Sequence, residues 1–278
     1  MEDKPLVSIW MVTYNHENYI EQSINSILAQ KTNFKYKLFI GDDKSIDRTA
    51  EICIDYQRKF PNKIEVFVNE TNVGPNLNAI NIYNACLNSG AKYMALCEGD
   101  DYWIDPLKLQ KQVDFLEQHS DFTICFHDVK IYHQESRSLE EDTITKEVPQ
   151  ETSIIDLAKR NYIHTPTVMV KNNFTLPKWF AKVPLGDWSL YMIVARNGKI
   201  KKLNEAMAVY RMHHKSSWSS KDPSVRDKKT IETIKIHLKE GSYAKEVKHV
   251  LQYRIANSKP SVEYPGKYFL KRIGKFFK

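Results

Sequence analysis

The stretch "YMALCEGDDYW", from Tyr93 to Trp103, decides how this sequence is interpreted. It begins with an apolar run typical of a buried strand, and it ends in a cluster of acids, Glu98, Asp100 and Asp101. Carboxylates this close repel one another, so the cluster costs stability unless a positive group lies among them. A metal ion, a bound cationic group or plain water would each relieve the repulsion.

Strand-like and helix-like segments alternate on both sides of this stretch. Apolar, β-rich runs predict strands over 6–13, 36–41, 63–68, 93–97 and 122–127. The segments between them repeat apolar residues at helical spacing. This alternation predicts an α/β fold with a mainly parallel central sheet and helices on both faces. Ligands of such sheets bind beyond the carboxyl ends of the strands, which directs attention to the loops "YNHEN", "GDDKS" and "CEGDDYW".

The second half of the chain has a weaker pattern. Residues 135–152 are acidic and weakly periodic, so they are predicted as a loop. Further elements are then predicted: a short helix from residue 154, a strand over 165–171, a helix after "GDW", a strand over 206–211, a long charged helix over 225–257 and a linker over 259–266.

Composition excludes several classes of protein. The 278 residues are 42% hydrophobic, and no run approaches the ~18 apolar residues of a membrane span. The N-terminus lacks the features of a signal peptide, so we expect a cytoplasmic protein. The four cysteines form no C-x-x-C pair and are predicted to be buried thiols. Signatures of dinucleotide oxidoreductases, P-loop NTPases, zinc proteases and α/β-hydrolases are absent.

The last twelve residues, "KYFLKRIGKFFK", hold five basic residues and no acidic one. Their apolar residues recur on one face of a helix, and such a basic amphipathic helix suits an anionic membrane surface. A helix packed on the protein and a disordered basic end are the alternatives. No recognisable nucleic-acid-binding module occurs, so nucleic acid is not an expected partner.

Two acidic pairs, in "GDDKS" and "CEGDDYW", are predicted to end strands of one sheet. Carboxylates there suit Mg²⁺ or Mn²⁺, which bind one or two carboxylates together with substrate phosphates. A solvated acidic turn is the alternative, because Asp and Gly are common turn residues.

Four motifs in order resemble one known family: "VSIWMVTYNHENYIEQSINSILAQ", "IGDDKSIDRT", "NVG" and "LCEGDDYWIDPLKLQKQV". They are similar to the nucleotide-sugar domain of family 2 inverting glycosyltransferases, of the bacterial surface-glycan type. The resemblance is close over about residues 6–130 and looser to about 220. It implies the GT-A fold, which is Rossmann-like, with a C-terminal helical extension.

The resemblance also implies roles for residues of the donor site. Tyr14 would stack on the uracil ring, with Thr13 beside it in the nucleotide site. Asp43 would accept a hydrogen bond from the uracil N–H, and Asp100 would lie by the ribose. Asp101 would bind Mn²⁺ or Mg²⁺ bridging the diphosphate. The family motif is usually D-x-D and here reads E-G-D-D, so Glu98 is a less favoured ligand.

Acceptor-side roles follow from the same resemblance. Asp187 in "PLGDWSLY" would deprotonate the acceptor hydroxyl, and the alternative is an N-cap for the helix that follows. In "YRMHHKSSW", His213 would meet the metal and Arg211 a phosphate; a solvated basic loop is the alternative. The Q-x-x-R-W motif of processive synthases is absent, which favours transfer of a single sugar.

The sequence thus predicts a metal-dependent, inverting hexosyltransferase. It would move one sugar from a nucleotide-sugar, preferably a UDP-sugar, to a glycan or lipid-linked acceptor in surface polysaccharide synthesis, at the inner face of the membrane. The predicted divisions are a catalytic domain over 1–220, with donor and acceptor halves over about 1–130 and 131–220, a helical extension over 221–258 and a basic tail over 259–278. Two alternatives remain open: a non-catalytic nucleotide-sugar or glycan-binding subunit, and a metal-dependent phosphate hydrolase.

Overall fold

The computed structural model describes residues 4–214, 216, 218 and 220–258. The predicted membrane-binding tail over 259–278 lies outside these residues. Within them the strands are β1 Val7–Thr13, β2 Tyr36–Asp42, β3 Ile64–Val68, β4 Tyr93–Leu96, β5 Tyr102–Trp103, β6 Phe122–His133, β7 Ser138–Glu141, β8 Glu151–Thr152, β9 Met169–Lys171 and β10 Lys199–Met212. The helices are α1 Ile20–Leu28, α2 Thr49–Lys59, α3 Pro75–Asn88, α4 Lys108–Gln118, α5 Thr143–Lys146, α6 Ile154–Lys159, α7 Gly186–Val194, α8 Pro223–Glu240 and α9 Lys245–Ala256.

One sheet has the strand order β3-β2-β1-β4-β9-β6-β10-β5. β3, β2, β1 and β4 pair in parallel, and so do β6 and β10. Because β9 is antiparallel to both β4 and β6, the parallel groups on its two sides run the same way. The carboxyl ends of four strands, β1, β2, β4 and β10, therefore lie at the same edge of the sheet. The predicted α/β fold with a mainly parallel sheet is confirmed.

Helices cover both faces of this sheet, as the alternation of segments predicts. One core packs α1, α2 and α4 against the sheet, through buried residues such as Ile24, Cys53 and Leu109. The other core packs α3, α6, α7, α8 and α9 against the opposite face, around Tyr83 and Trp188. The four cysteines are buried free thiols, as predicted. Among the described helices, none is both long and apolar enough to cross a membrane.

Three predicted elements differ from the structure. The expected loop over 135–152 contains β7, α5 and β8, and the expected strand over 165–171 begins with a 3-10 helix, Thr165–Thr167. The expected single helix over 225–257 is two helices, because Gly241 takes extended backbone and Tyr243 turns back to stack on His237 at 5.7 Å between ring centroids. The domain boundaries at 220 and 258 stay predictions.

Close packing of α3 on β2 makes Gly41 intolerant of a side chain. A Cβ at this position would lie 2.5 Å from Ile82 Cγ1 and 2.7 Å from Asn78 Oδ1. We expect Gly41→Ala to lower the free energy of unfolding by about 1–3 kcal/mol, measured by urea denaturation. Gly186→Ala is the control, since its nearest neighbour would be 4.0 Å away. Equal stability of the two variants would contradict this packing.

His237 holds α8 against α7 as a neutral side chain. Ser189 Oγ donates its proton to Leu185 O, so it accepts from His237 Nε2–H at 2.9 Å, and Tyr243 Oη then donates to Nδ1 at 2.6 Å. Burial, with a contribution from Arg196, lowers the pKa of His237 from 6.5 to about 4.

This shift predicts a pH dependence of stability. Between pH 6.5 and about 4 the unfolded chain binds a proton at His237 that the folded chain does not, so this residue lowers stability by about 1.4 kcal/mol per unit of falling pH. Urea unfolding from pH 7 to 5 should give a shallower decline for His237→Gln than for wild type. His249→Gln, on the exposed side of α9, should leave the decline unchanged. A wild-type decline in His237→Gln would contradict the assignment.

Candidate active site

The loop after β1 is fastened to the loop after β2. Asn15 N donates to Ser45 Oγ at 2.9 Å, and Ile46 N returns a hydrogen bond of 2.9 Å to Asn15 Oδ1. His16 N donates to Thr49 Oγ1 at 2.8 Å. Asn15 has a φ of 56°, a conformation that Asn tolerates better than most residues. These bonds fix the first loop at the carboxyl edge of the sheet.

Thr13 and Tyr14, both predicted for the nucleotide site, begin this loop. Tyr14 is 43% exposed, so its ring is not part of the buried core and is available to a ligand. Thr13 is buried, and its Oγ1 has no hydrogen-bond partner among the described residues.

Asp43 follows β2 directly and is buried. Its carboxylate accepts hydrogen bonds from Val73 N at 2.8 Å, Gly74 N at 2.9 Å and Asn69 Nδ2 at 3.0 Å. It therefore anchors the "NVG" turn before α3, a role that the sequence did not suggest. Its hydrogen bond to a uracil ring stays a prediction.

The acids of "CEGDDYW" converge: Glu98, Asp100 and Asp101 each place an oxygen within 4.8 Å of the others. Burial raises the pKa of Glu98 to about 8, with further contributions from the charges of Asp100 and Asp187. Burial, together with Asp100 and Glu98, also raises the pKa of Asp101 well above its usual value. The cluster therefore resists holding all its negative charge without a cation.

Two histidines flank Asp100. His213 Nε2 lies 3.0 Å from Asp100 Oδ2, and His16 Nε2 lies 3.8 Å from the same oxygen. Burial acts to raise the pKa of Asp100, but His16 and His213 outweigh it, so the pKa lies below its usual value. His213 is one of the predicted site residues. His16 was not predicted, although it lies in the quoted "YNHEN" loop.

Arg211 ties the end of β10 to the acidic loop. Its backbone N donates to Asp101 Oδ1 and its Nε to Asp100 O, both at 2.8 Å.

The remaining guanidinium nitrogens of Arg211 donate to Gln134 and Gln22, both at 2.6 Å. Three rings surround the guanidinium: Tyr19, Tyr102 and Tyr132. Arg211 thus fixes the acidic loop, and its contact with a phosphate stays a prediction.

Asp187 lies in the first turn of α7, near enough to Glu98 for its charge to help raise the pKa of Glu98. The N-cap of this helix is Leu185, so the alternative of an Asp187 N-cap is wrong. Asn161 Nδ2 donates to Asp187 Oδ2 at 3.0 Å, a partner that the sequence did not indicate. Burial raises the pKa of Asp187. A carboxylate with a raised pKa at this edge is suited to accept a proton.

Residues 8–172 match the sequence profile described as glycosyl transferase family 2. The chain belongs to that family. The resemblance to family 2 glycosyltransferases that its motifs indicate is therefore confirmed.

Relatives in sequence include family members and proteins without an assigned activity. The protein Rv1520 of Mycobacterium tuberculosis is 35% identical over 219 residues, which cover 77% of this chain and 61% of Rv1520. TuaG of Bacillus subtilis, named as a glycosyltransferase of teichuronic acid biosynthesis, is 28% identical over 222 residues, which cover 78% of this chain and 83% of TuaG. The chain thus spans about three fifths of the length of Rv1520.

Solved structures share the GT-A fold of this family 2 chain. S. aureus TarS 1-349 in complex with UDP-GlcNAc matches with a TM-score of 0.65 at 19% identity, over 90% of this chain and 71% of TarS 1-349. The mannosyltransferase PcManGT of Pyrobaculum calidifontis, in complex with GDP-Man and Mn²⁺, matches with a TM-score of 0.63 at 14% identity, over 91% of this chain and 69% of PcManGT.

Proposed function

We propose that the protein is a metal-dependent, inverting glycosyltransferase that moves one sugar from a UDP-sugar to a glycan or lipid-linked acceptor. The observation that carries this proposal is the convergence of Glu98, Asp100, Asp101 and His213 at the sheet edge, with Asp187 close enough to shift the pKa of Glu98. A donor site and a base are the two parts that such a transfer needs.

The residues fit a divalent cation. Beside His213 Nε2, which lies 3.0 Å from the Asp100 carboxylate, the atoms Asp100 Oδ1 and Asp101 Oδ2 are buried without hydrogen-bond partners among the described residues. Buried polar atoms are normally paired, so these atoms are available to a ligand. Asp100, Asp101 and His213 would hold Mn²⁺ or Mg²⁺, and the bound ion would act as a Lewis acid that neutralises charge on the departing diphosphate.

Asp187 acts on the acceptor in this proposal. Its carboxylate takes the proton from the acceptor hydroxyl as that oxygen bonds to the anomeric carbon. The bond from the anomeric carbon to the diphosphate oxygen breaks on the opposite face, and the electron pair leaves with UDP. Attack and departure on opposite faces invert the configuration. Asn161 holds the carboxylate in place, and burial raises its pKa toward the range of an effective base.

Thr13, Tyr14, Asp43 and Arg211 belong to the nucleotide side of the site in this proposal. Exposed Tyr14 supplies an aromatic face for a base, since stacking on a ring is worth ~1–3 kcal/mol. The UDP-GlcNAc of TarS and the GDP-Man of PcManGT support a nucleotide-sugar donor, and the first supports UDP. The Mn²⁺ of PcManGT supports a divalent ion.

Surface polysaccharide synthesis is the proposed setting. TuaG, named for teichuronic acid biosynthesis, supports this assignment. A lipid-linked acceptor would place the enzyme at the inner face of the membrane, where the basic residues of the tail over 259–278 would attract anionic lipid.

The test is nucleotide release from a panel of UDP-, GDP- and dTDP-sugars, with and without Mn²⁺ and a lipid-linked acceptor. We expect metal-dependent release of UDP that the acceptor accelerates. Release of phosphate from simple esters without any sugar would indicate a phosphate hydrolase instead. Binding of a UDP-sugar without turnover for any acceptor tested would favour a non-catalytic subunit.

A further inference from the structure

We propose that His16 binds the cation together with Asp100 and His213, and that the two histidines make the site select Mn²⁺ over Mg²⁺. The proposal rests on the proposed function, since it concerns the ion of the donor site. It adds a residue from the first loop to the ligands, and it names the ion.

The three ligand atoms have the spacing that one cation requires. They lie within 4.8 Å of one another, and Asp100 Oδ2 is 3.0 Å from His213 Nε2 and 3.8 Å from His16 Nε2. Octahedral bonds of about 2.1 Å place neighbouring ligands about 3 Å apart and opposite ligands about 4.2 Å apart. Both distances from Asp100 lie within that interval, and the two imidazole nitrogens lie within 4.8 Å of each other, so a small movement would bring all three groups onto one ion.

His16 and His213 both direct Nε2 toward Asp100, so Nε2 is the atom that each would offer to the ion. The Nδ1 atoms of both are buried and have no hydrogen-bond partner among the described residues. The rings stand nearly perpendicular, at 85°, with Asp100 as their shared polar neighbour. Tyr19 packs against the His213 ring at 4.8 Å between centroids. The histidines therefore lie beside a carboxylate whose Oδ1 has no hydrogen-bond partner among the described residues.

The backbone supports the same assignment. The backbone N of His16 donates a hydrogen bond to Thr49 Oγ1, and the neighbouring Asn15 N donates one to Ser45 Oγ. These bonds hold the loop in place without using the His16 imidazole.

Two imidazoles beside the carboxylates of Asp100 and Asp101 discriminate between ions. Mg²⁺ strongly prefers oxygen ligands and loses its waters reluctantly, whereas Mn²⁺ and other transition ions accept imidazole nitrogen. The acids alone would suit both ions. His16 supplies the second nitrogen, so its removal should cost affinity for Mn²⁺ far more than affinity for Mg²⁺.

The experiment measures ion binding directly, in the presence of UDP. The electron paramagnetic resonance signal of free Mn²⁺ gives the Mn²⁺ affinity, and competition by Mg²⁺ gives the Mg²⁺ affinity. The variants are His16→Gln and the control His214→Gln, an exposed histidine paired with Glu135. Thermal unfolding without metal confirms that each variant is folded.

We expect wild type and His214→Gln to bind Mn²⁺ at least tenfold more tightly than Mg²⁺. In folded His16→Gln, the affinity for Mn²⁺ should fall by about 10–100-fold and the affinity for Mg²⁺ by less than threefold. An unchanged Mn²⁺/Mg²⁺ ratio in His16→Gln would overturn the role of His16 and leave the proposed function intact. Absence of any Mn²⁺ binding in wild type with UDP would overturn both.

Discussion

Replacing Asp187 with Asn should lower the rate of sugar transfer by about 10²–10⁴-fold while UDP binding changes by less than about threefold. The substitution keeps the shape of the side chain and the contact with Asn161, but it removes the group that accepts the proton. The acceptor hydroxyl then has to attack with its proton still in place. Because the proposed function places Asp187 on the acceptor side, we expect the nucleotide site to keep all its predicted contacts.

Rates come from the transfer assay and UDP affinity from calorimetry with Mn²⁺. Asp222→Asn is the matched control, since it makes the same change at the N-terminus of α8, where Asp222 accepts a hydrogen bond from Ser224 N. This control should transfer sugar at the wild-type rate. Wild-type turnover in Asp187→Asn would refute the role of Asp187 as base.

Asp100→Asn should weaken Mn²⁺-dependent binding of UDP by at least about 100-fold and reduce transfer by a similar factor. Asp100 belongs to both groups of possible metal ligands, the one with Glu98 and Asp101 and the one with His16 and His213. An amide at this position removes the negative charge that the ion needs, and it leaves two histidines facing a neutral group.

Asp105→Asn serves as the control for this variant. It lies on the same segment, where its carboxylate pairs with Lys111 at 2.8 Å, away from the acid cluster. The measurement is UDP calorimetry at fixed Mn²⁺, beside the transfer assay. If Asp100→Asn binds UDP with the same dependence on Mn²⁺ as wild type, the ion is not held by Asp100.

Much of the donor half could be predicted because its signals are local. Apolar runs that end in polar turns give the parallel strands, and the topology of such a sheet brings the turns to one edge. The topology of the sheet is thus enough to predict that the loop of Tyr14 and the pair of Asp100 and Asp101 lie together, without any knowledge of side-chain contacts.

The rest depends on contacts that no local pattern encodes. β7 is exposed along its whole length, so it lacks the alternation that marks a strand with one buried face. α8 and α9 have similar charged surfaces, and the turn between them is set by the packing of Tyr243 on His237. Sequence spacing also could not reveal that His16 and His213, 197 positions apart by number (213 − 16), approach the same oxygen.

Two predicted site residues acquire additional roles only in three dimensions. Asp43 anchors the turn at Val73 and Gly74, and Arg211 fixes the acidic loop from β10. A sequence shows that such residues are charged and follow strands. It does not show how many of their hydrogen bonds the protein itself uses.

The central claim is a metal-dependent nucleotide site at the acid cluster, and calorimetric titration of UDP with and without Mn²⁺ tests it most directly. GDP and dTDP are the controls for the base. We predict that UDP binds when Mn²⁺ is present and much more weakly without it. GDP and dTDP should bind less well than UDP. Metal-dependent binding of GDP or dTDP in preference to UDP would keep the site and change the donor. If no nucleotide binds under either condition, the claim is contradicted.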